Sequence, residues 1–202
     1  FEEFELAAIA IRGNPAVGTN GNNIIRGCVV FSRPYFEAWP AHGIYIETAN
    51  GAGASGNLIS GNFITYQPTY GPAKAGHYGI FFTSGGASGS NILENNIIGA
   101  FDYGVYVTPG SVRNILKGNR IDGCNLGLSN VAVLNTVDGN IFTNNTTDYY
   151  EASGAASVVN GNYFSVTPAL DQTTIATGNR SAFGVAPASG VKFPATQVSS
   201  SD

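Results

Sequence analysis

A chain of 202 residues has the size of one ordinary domain, but 27 glycines and 21 asparagines make up nearly a quarter of it, and charged residues only 11%. Gly and Asn are poor helix formers and Glu/Lys pairs are scarce, so an all-α fold is excluded; a hydrophobic fraction of 43% excludes disorder for want of a core. The net charge of −4 supplies no basic field for nucleic acid, and no apolar run reaches the roughly 20 residues of a membrane-spanning helix.

Taken in chain order, one phrase recurs: Asn, two apolar residues, a variable residue, Gly-Asn, a variable residue, an apolar one. It runs NIIRGCVV from Asn23, NLISGNFI from Asn57, NILENNII from Asn91 and NILKGNRI from Asn114. Weaker copies follow, NTVDGNIF from Asn135 and SVVNGNYF from Ser157, and the steps between starts are 34, 34, 23, 21 and 22 residues. A second phrase keeps step with the first: GIYIET from Gly43, GIFFTS from Gly79, GVYVTP from Gly104 and GLSNVA from Gly127. The repeating unit is therefore one coil of short alternating strands bounded by Gly or Asn. Such a unit cannot bury its own apolar face, but stacked on its neighbours it can.

The expected fold is all-β, a parallel β-helix of about six coils over residues 1–165, followed by an extended C-terminal segment, 166–202. Alternation assigns three inward stacks: Ile25, Ile59, Leu93, Leu116, Val137 and Val159; Val30, Ile64, Ile98, Ile121, Phe142 and Phe164; and Ile44, Ile46, Ile80, Phe82, Val105 and Val107. Asn62, Asn96, Asn119, Asn140 and Asn162 share one position at a bend, where an inward amide can bond the bend backbone and its counterparts in adjacent coils. Cys28 holds that column in the first coil and is expected to be a buried thiol. Cys124 lies about three coils away, beyond the reach of a disulfide, so both thiols should be free.

These phrases resemble the repeats of right-handed parallel β-helix proteins, a group that includes pectate lyases and phage tailspikes, over about residues 20–165. The ending VKFPATQVSSSD from Val191 is similar to the segment that follows the β-helix in many phage tail proteins. The resemblance implies a homotrimeric tailspike or tail-fibre domain of the virion, extracellular, binding bacterial surface polysaccharide and in many cases depolymerising it by hydrolysis or elimination. It also implies a further C-terminal domain beyond residue 202. It carries over no catalytic residue, because the repeat encodes coils and not chemistry. A purely structural shaft and a secreted polysaccharide lyase or hydrolase of non-viral origin remain alternatives.

Chemistry is expected where the repeat is broken. Two coils are enlarged between the first and second phrase, by the loops Phe31 to His42 and Thr65 to Tyr78, which emerge from the same turn. Tyr35, Trp39, Tyr66, Tyr70 and Tyr78 are the candidate carbohydrate-stacking rings; the other possibility is that these rings fold down over the side of the helix. Glycoside cleavage needs carboxylates or bases at a set separation, and the candidates are Asp102, Asp122, Glu37 and His77. Alignment on the second phrase places Ala41, His77, Asp102, Asn125 and Asp148 in one column, where polar groups could equally cap turns. No metal or other cofactor is expected, since no Cys/His/Asp cluster has ligand spacing.

Two kinds of row face outward. Arg26, Ser60, Glu94, Lys117, Asp138 and Asn160 form a solvated row with an alternating-charge stretch. Ile24, Leu58, Ile92, Ile115 and Val158, and on another wall Tyr45, Phe81 and Tyr106, are apolar at outward positions, a pattern that marks an interface between copies.

Overall fold

The computed structural model describes residues 7–12, 21–32, 42–47, 54–66, 76–83, 88–171 and 173–181. These residues contain 22 strands and no helix, and every strand pairing is parallel. Each turn of the chain contributes one strand to each of three walls, so the molecule is a parallel β-helix.

The first wall comprises β2 (Ile24–Arg26), β5 (Leu58–Ser60), β9 (Ile92–Glu94), β13 (Ile115–Lys117), β16 (Thr136–Asp138), β19 (Val158–Asn160) and β21 (Ile175–Thr177). The second comprises β3 (Val29–Ser32), β6 (Phe63–Tyr66), β10 (Ile97–Gly99), β14 (Arg120–Asp122), β17 (Ile141–Thr143), β20 (Tyr163–Phe164) and β22 (Arg180–Ser181). The third comprises β1 (Ala7–Arg12), β4 (His42–Glu47), β7 (Tyr78–Phe82), β11 (Tyr103–Val107), β15 (Leu126–Asn130) and β18 (Thr147–Glu151). A short pair, β8 (Ser88–Gly89) with β12 (Ser111–Val112), bridges the third wall to the first.

The three inward stacks lie as alternation dictates. All eighteen residues named for them are buried, and Leu128 and Tyr149 extend the third. Along the second stack Phe follows Ile121 in the next two coils, which brings Phe142 and Phe164 face to face, centroids 5.1 Å apart. The coil continues beyond residue 165. Thr174–Ser181, TIATGNRS, repeats the phrase with Thr for the leading Asn and Ser for the closing apolar residue, and it pairs below β19 and β20.

The asparagines form the polar skeleton of the bends. Asn62 donates from its backbone N and its Nδ2 to Asn96 Oδ1, at 3.0 and 2.9 Å, and its Nδ2 also reaches Ile25 O. Asn96, Asn119, Asn140 and Asn162 repeat this pattern, which ends on Asn179. A second ladder runs through the leading Asn of the phrase, Asn23, Asn57, Asn91, Asn114 and Asn135. At its foot Ser157 is too short to continue it; Asn130 steps in, accepting from Asn135 Nδ2 at 2.8 Å and donating to Ser157 Oγ at 2.9 Å. Apart from Asn23 and Asn179 at the two ends, which are half-buried, the ladder amides are buried and hydrogen-bonded, which is what makes a polar row tolerable in a core.

The glycine column of the second phrase has a different cause. A Cβ on Gly43, Gly79 or Gly104 would sit 2.5 Å from Cγ2 of Ile64, Ile98 or Ile121 and within 2.6 Å of the next coil's carbonyl oxygen. Wall three can approach the second inward stack only without side chains there.

Three expectations need correction. Asp148 does not stack under Asn125. The register Leu126↔Thr147 puts Thr146 there, and Asp148 falls in the glycine column, wholly buried. It fits because the chain below leaves the coil and donates to it, from Ser165 Oγ at 3.1 Å and Val166 N at 2.7 Å, with Asn145 Nδ2 at 2.9 Å. Cys28 is half-buried where a buried thiol was expected, since the first coil has only one neighbour to cover that bend; Cys124 is buried, and both thiols are free. The charge row is half an ion-pair ladder: Lys117 Nζ meets Glu94 at 2.9 Å, whereas Asp138 accepts from Asn160 Nδ2 at 3.0 Å.

Candidate functional site

The outward face of wall three is aromatic. His42, Tyr78 and Tyr103 occupy one column and Tyr45, Phe81 and Tyr106 the next, because β4, β7 and β11 stack Tyr45↔Phe81↔Tyr106 and Tyr78↔Tyr103. The six rings form a continuous sheet. Tyr78 lies 4.4 Å from Phe81 and 5.1 Å from both Tyr103 and Tyr106, and Tyr103 meets Tyr106 edge-on at 5.2 Å. His42 stacks on Tyr78 at 4.9 Å and on Tyr45 at 5.7 Å, with Phe81 edge-on at 5.2 Å. Parallel in-register pairing forces this arrangement: like positions lie about 4.8 Å apart, which is ring-contact distance.

The rings differ in exposure. Tyr78, Phe81, Tyr103 and Tyr106 are half-buried, whereas His42 is 2% and Tyr45 9% exposed. Burial, and to a lesser degree neighbouring His77, pushes His42 down to about 4, so the ring is neutral, and among the described residues its Nδ1 has no hydrogen-bond partner. Burial raises the phenols of Tyr78 and Tyr103 above their ordinary value, with the carboxylate of Asp102 and neighbouring phenols adding to it.

Of the candidate acids, Asp102 stands at the edge of this face in the turn before β11. It is half-buried and accepts from Gly76 N at 2.9 Å and Asn125 Nδ2 at 3.1 Å. Asp122 ends β14 and accepts from Thr143 Oγ1 at 2.6 Å and Asn144 Nδ2 at 2.8 Å, with Arg120 at 3.8 Å. The Thr143 bond above all, then Asn144 and Arg120, hold Asp122 below the usual carboxylate range. Both carboxylates bear on the thiol of Cys124, which burial pushes up to about 12, so the two acids flank one turn. Each is tied to an adjacent coil by backbone or side-chain donors. The Thr143 and Asn144 bonds thus favour the ionised form of Asp122.

His77 and Tyr66 face the other way. Both are 2% exposed, their rings tilted against each other at 5.2 Å, with Phe101 edge-on to Tyr66 at 6.1 Å. Tyr66 is the fourth residue of β6, beside inward Ser32 in the register, so it serves the core and cannot be an exposed stacking platform. Of the two predicted rings among the described residues, Tyr78 lies on the aromatic face and Tyr66 does not. Glu37, Tyr35, Trp39 and Tyr70 lie outside the described residues, in the stretches that lead into His42 and Gly76.

Tyr103 and Tyr106, with Phe81, complete a site that the loop-centred expectation missed. The signal was present in the outward apolar row Tyr45, Phe81, Tyr106, but one-dimensional alternation gives direction and not clustering. Among the described residues, no three His, Cys, Asp or Glu side chains are grouped to hold a metal ion.

Comparison with known families gives one match: residues 10–168 fit the family described as right handed beta helix region. No curated protein matches the chain.

Proposed function

The chain belongs to the right-handed β-helix family, and on that footing we propose that it binds bacterial surface polysaccharide on the aromatic face of wall three. The observation that carries the reading is the contiguous set Tyr78, Phe81, Tyr103 and Tyr106, half-buried and rigidly spaced by the coil. A pyranose presents an apolar face of C–H groups and a rim of hydroxyls. Aromatic rings supply the first contact at low entropic cost, because each ring is already held by its neighbours. Asp102 at the edge, with phenolic hydroxyls, supplies hydrogen-bond partners for the rim. The two enlarged coils deliver their loops into the start of β4 and to Gly76 just before β7, so Tyr35, Trp39 and Tyr70 belong to segments that begin or end at this face.

Within this reading the protein is the β-helix domain of a phage tailspike or tail fibre, working on the virion outside the host. Depolymerisation would use Asp122 as the base, held ionised by Thr143, with Asp102 and Glu37 as the candidates for the second carboxyl. The repeat composition and the tail-like ending VKFPATQVSSSD support this context.

The test is binding of the full chain to a panel of purified bacterial capsules and lipopolysaccharides. Replacement of Tyr103 or Tyr106 by Ala should weaken binding about tenfold each, the scale of one lost aromatic contact, and leave the fold intact. Asp122→Asn should preserve binding and abolish any release of new reducing or unsaturated ends. Absence of binding to every polysaccharide, or binding indifferent to both tyrosines, would overturn the proposal.

A further inference from the structure

The aromatic face has a charge character that stacking on a sugar leaves unused. Among the described residues, the six strands of wall three carry a single Lys or Arg, Arg12, and it already meets Glu47 at 2.8 Å. On wall one Glu94 likewise meets Lys117, at 2.9 Å. Asp102 differs. It accepts from the backbone of Gly76 at 2.9 Å and from the amide of Asn125 at 3.1 Å, and among the described residues no cation pairs with it. A carboxylate offers about four lone-pair sites, so these donors hold the group in place and leave it acceptor capacity at a half-buried position.

The register puts this carboxylate beside one half of the rings. Tyr103 follows it in the chain and pairs with Tyr78, whereas Phe81 and Tyr106 occupy the next outward column. Its charge reaches both phenols of the nearer column: burial raises them first, and Asp102 adds to the rise. Nor are the rings one flat platform. Tyr78 and Tyr106 lie within 17° of parallel, while Tyr103 is turned 73° from Tyr106 and 57° from Tyr78. One pyranose face cannot lie flat on all three, so the ring next to Asp102 is left for a compact group.

We infer, on the footing that this face binds glycan, that the corner of Asp102, Tyr103 and Tyr78 takes a primary ammonium group, and that the polysaccharide therefore contains amino sugars whose nitrogen is free and not acetylated. Rings and carboxylate attract the same charge for different reasons. A ring face is the negative pole of a quadrupole and draws a cation within about 6 Å of its centroid. The carboxylate adds direct attraction in a partly desolvated setting. The acceptor capacity of Asp102 selects further: a primary ammonium has N–H donors to give it, a quaternary ammonium has none, and an acetylated nitrogen has no charge. An acidic sugar would bring its own carboxylate against Asp102. The net charge of −4 also favours the approach of a cationic ligand.

The experiment is calorimetric titration of the full chain with the capsules and lipopolysaccharides of the binding panel, each before and after N-acetylation of its free amines with acetic anhydride in aqueous buffer. The tightest-bound polysaccharide should carry free amines, and acetylation should weaken its binding at least about tenfold, the scale of one cation–π contact joined to one charge pair. This arm needs no variant. Asp102→Asn should weaken binding of the untreated polysaccharide by a similar factor and bind the acetylated form as the parent does, a dependence that a merely structural role would not give. Added salt should weaken the parent's binding more than the variant's. Tightest binding to a polysaccharide without free amines, or affinity indifferent to acetylation, overturns the inference and leaves glycan binding at Tyr103 and Tyr106 standing. An Asp102→Asn loss of equal size on treated and untreated polysaccharide also overturns it. Binding to none of the panel overturns the glycan reading, and this inference with it.

Discussion

Replacing His42 by Phe tests the physics of the aromatic face most directly. The imidazole is 2% exposed, among Tyr45, Tyr78 and Phe81, and burial lowers it from 6.5 to about 4. In the unfolded chain the same group titrates at its ordinary value, so between pH 6.5 and about 4 the unfolded state binds a proton that the folded state refuses. A folded pKa below the unfolded one, in a base, means that the contribution is fully present above pH 6.5. It is lost as pH falls, at about 1.4 kcal/mol per pH unit, and reaches about 3 kcal/mol near pH 4. Phe keeps the ring packing and removes the unpartnered Nδ1, so near neutral pH the variant should match the parent to within about 1 kcal/mol. The assay is urea unfolding of both proteins at a series of pH values across this window. All other titratable groups are common to the two proteins, so the parent-minus-variant difference isolates His42. A parent whose acid loss within the window equals that of His42→Phe would refute the reasoning.

Other outcomes follow from the same geometry. Asn119→Ala removes the acceptor for Asn96 N and Nδ2 and the donor to Leu93 O and Asn140 Oδ1; stranding buried groups at about 1–3 kcal/mol apiece, it should lower stability by at least about 3 kcal/mol in urea titration, whereas half-buried Asn160→Ala should cost about 1 kcal/mol. Gly104→Ala, with Ile121 Cγ2 at 2.5 Å and Gly127 O at 2.6 Å from the added carbon, should prevent normal folding or cost several times what Gly139→Ala costs. At Gly139 there is open space and only the left-handed φ of 61° opposes a side chain, at about 1–2 kcal/mol. Cys124, pushed up to about 12 and buried, should resist a thiol reagent until the protein unfolds, while half-buried Cys28 reacts in the native state; equal native rates would contradict the burial described.

The repeat was legible because solenoid coils write their structure locally: one apolar residue per inward position, one amide per bend, one glycine where two walls meet. Where that mapping was local, residue and role agree, from Ile59 and Ile98 in the core to Asn119 in its ladder. It failed where a role depends on what lies in the next coil. Asp148 was placed by counting along the chain, and the register moved it two positions, into a buried column that Ser165 and Val166 make habitable. Tyr66 looked like part of an irregular loop, yet it is the last residue of a strand and its ring belongs to the core.

The site divides in the same way. Composition and periodicity alone determined the class, the three walls, the inward stacks and the absence of a cross-link between Cys28 and Cys124, since each depends on spacing along the chain. Only the tertiary structure decided that Tyr78, Phe81, Tyr103 and Tyr106 make one surface, that His42 is neutral beneath it, and that Asp102 and Asp122 are held by neighbouring coils. The physical reason is the parallel stack itself. Residues about 4.8 Å apart in space are separated by 17 to 36 positions in the chain, so a contact surface assembles from residues that no local window contains.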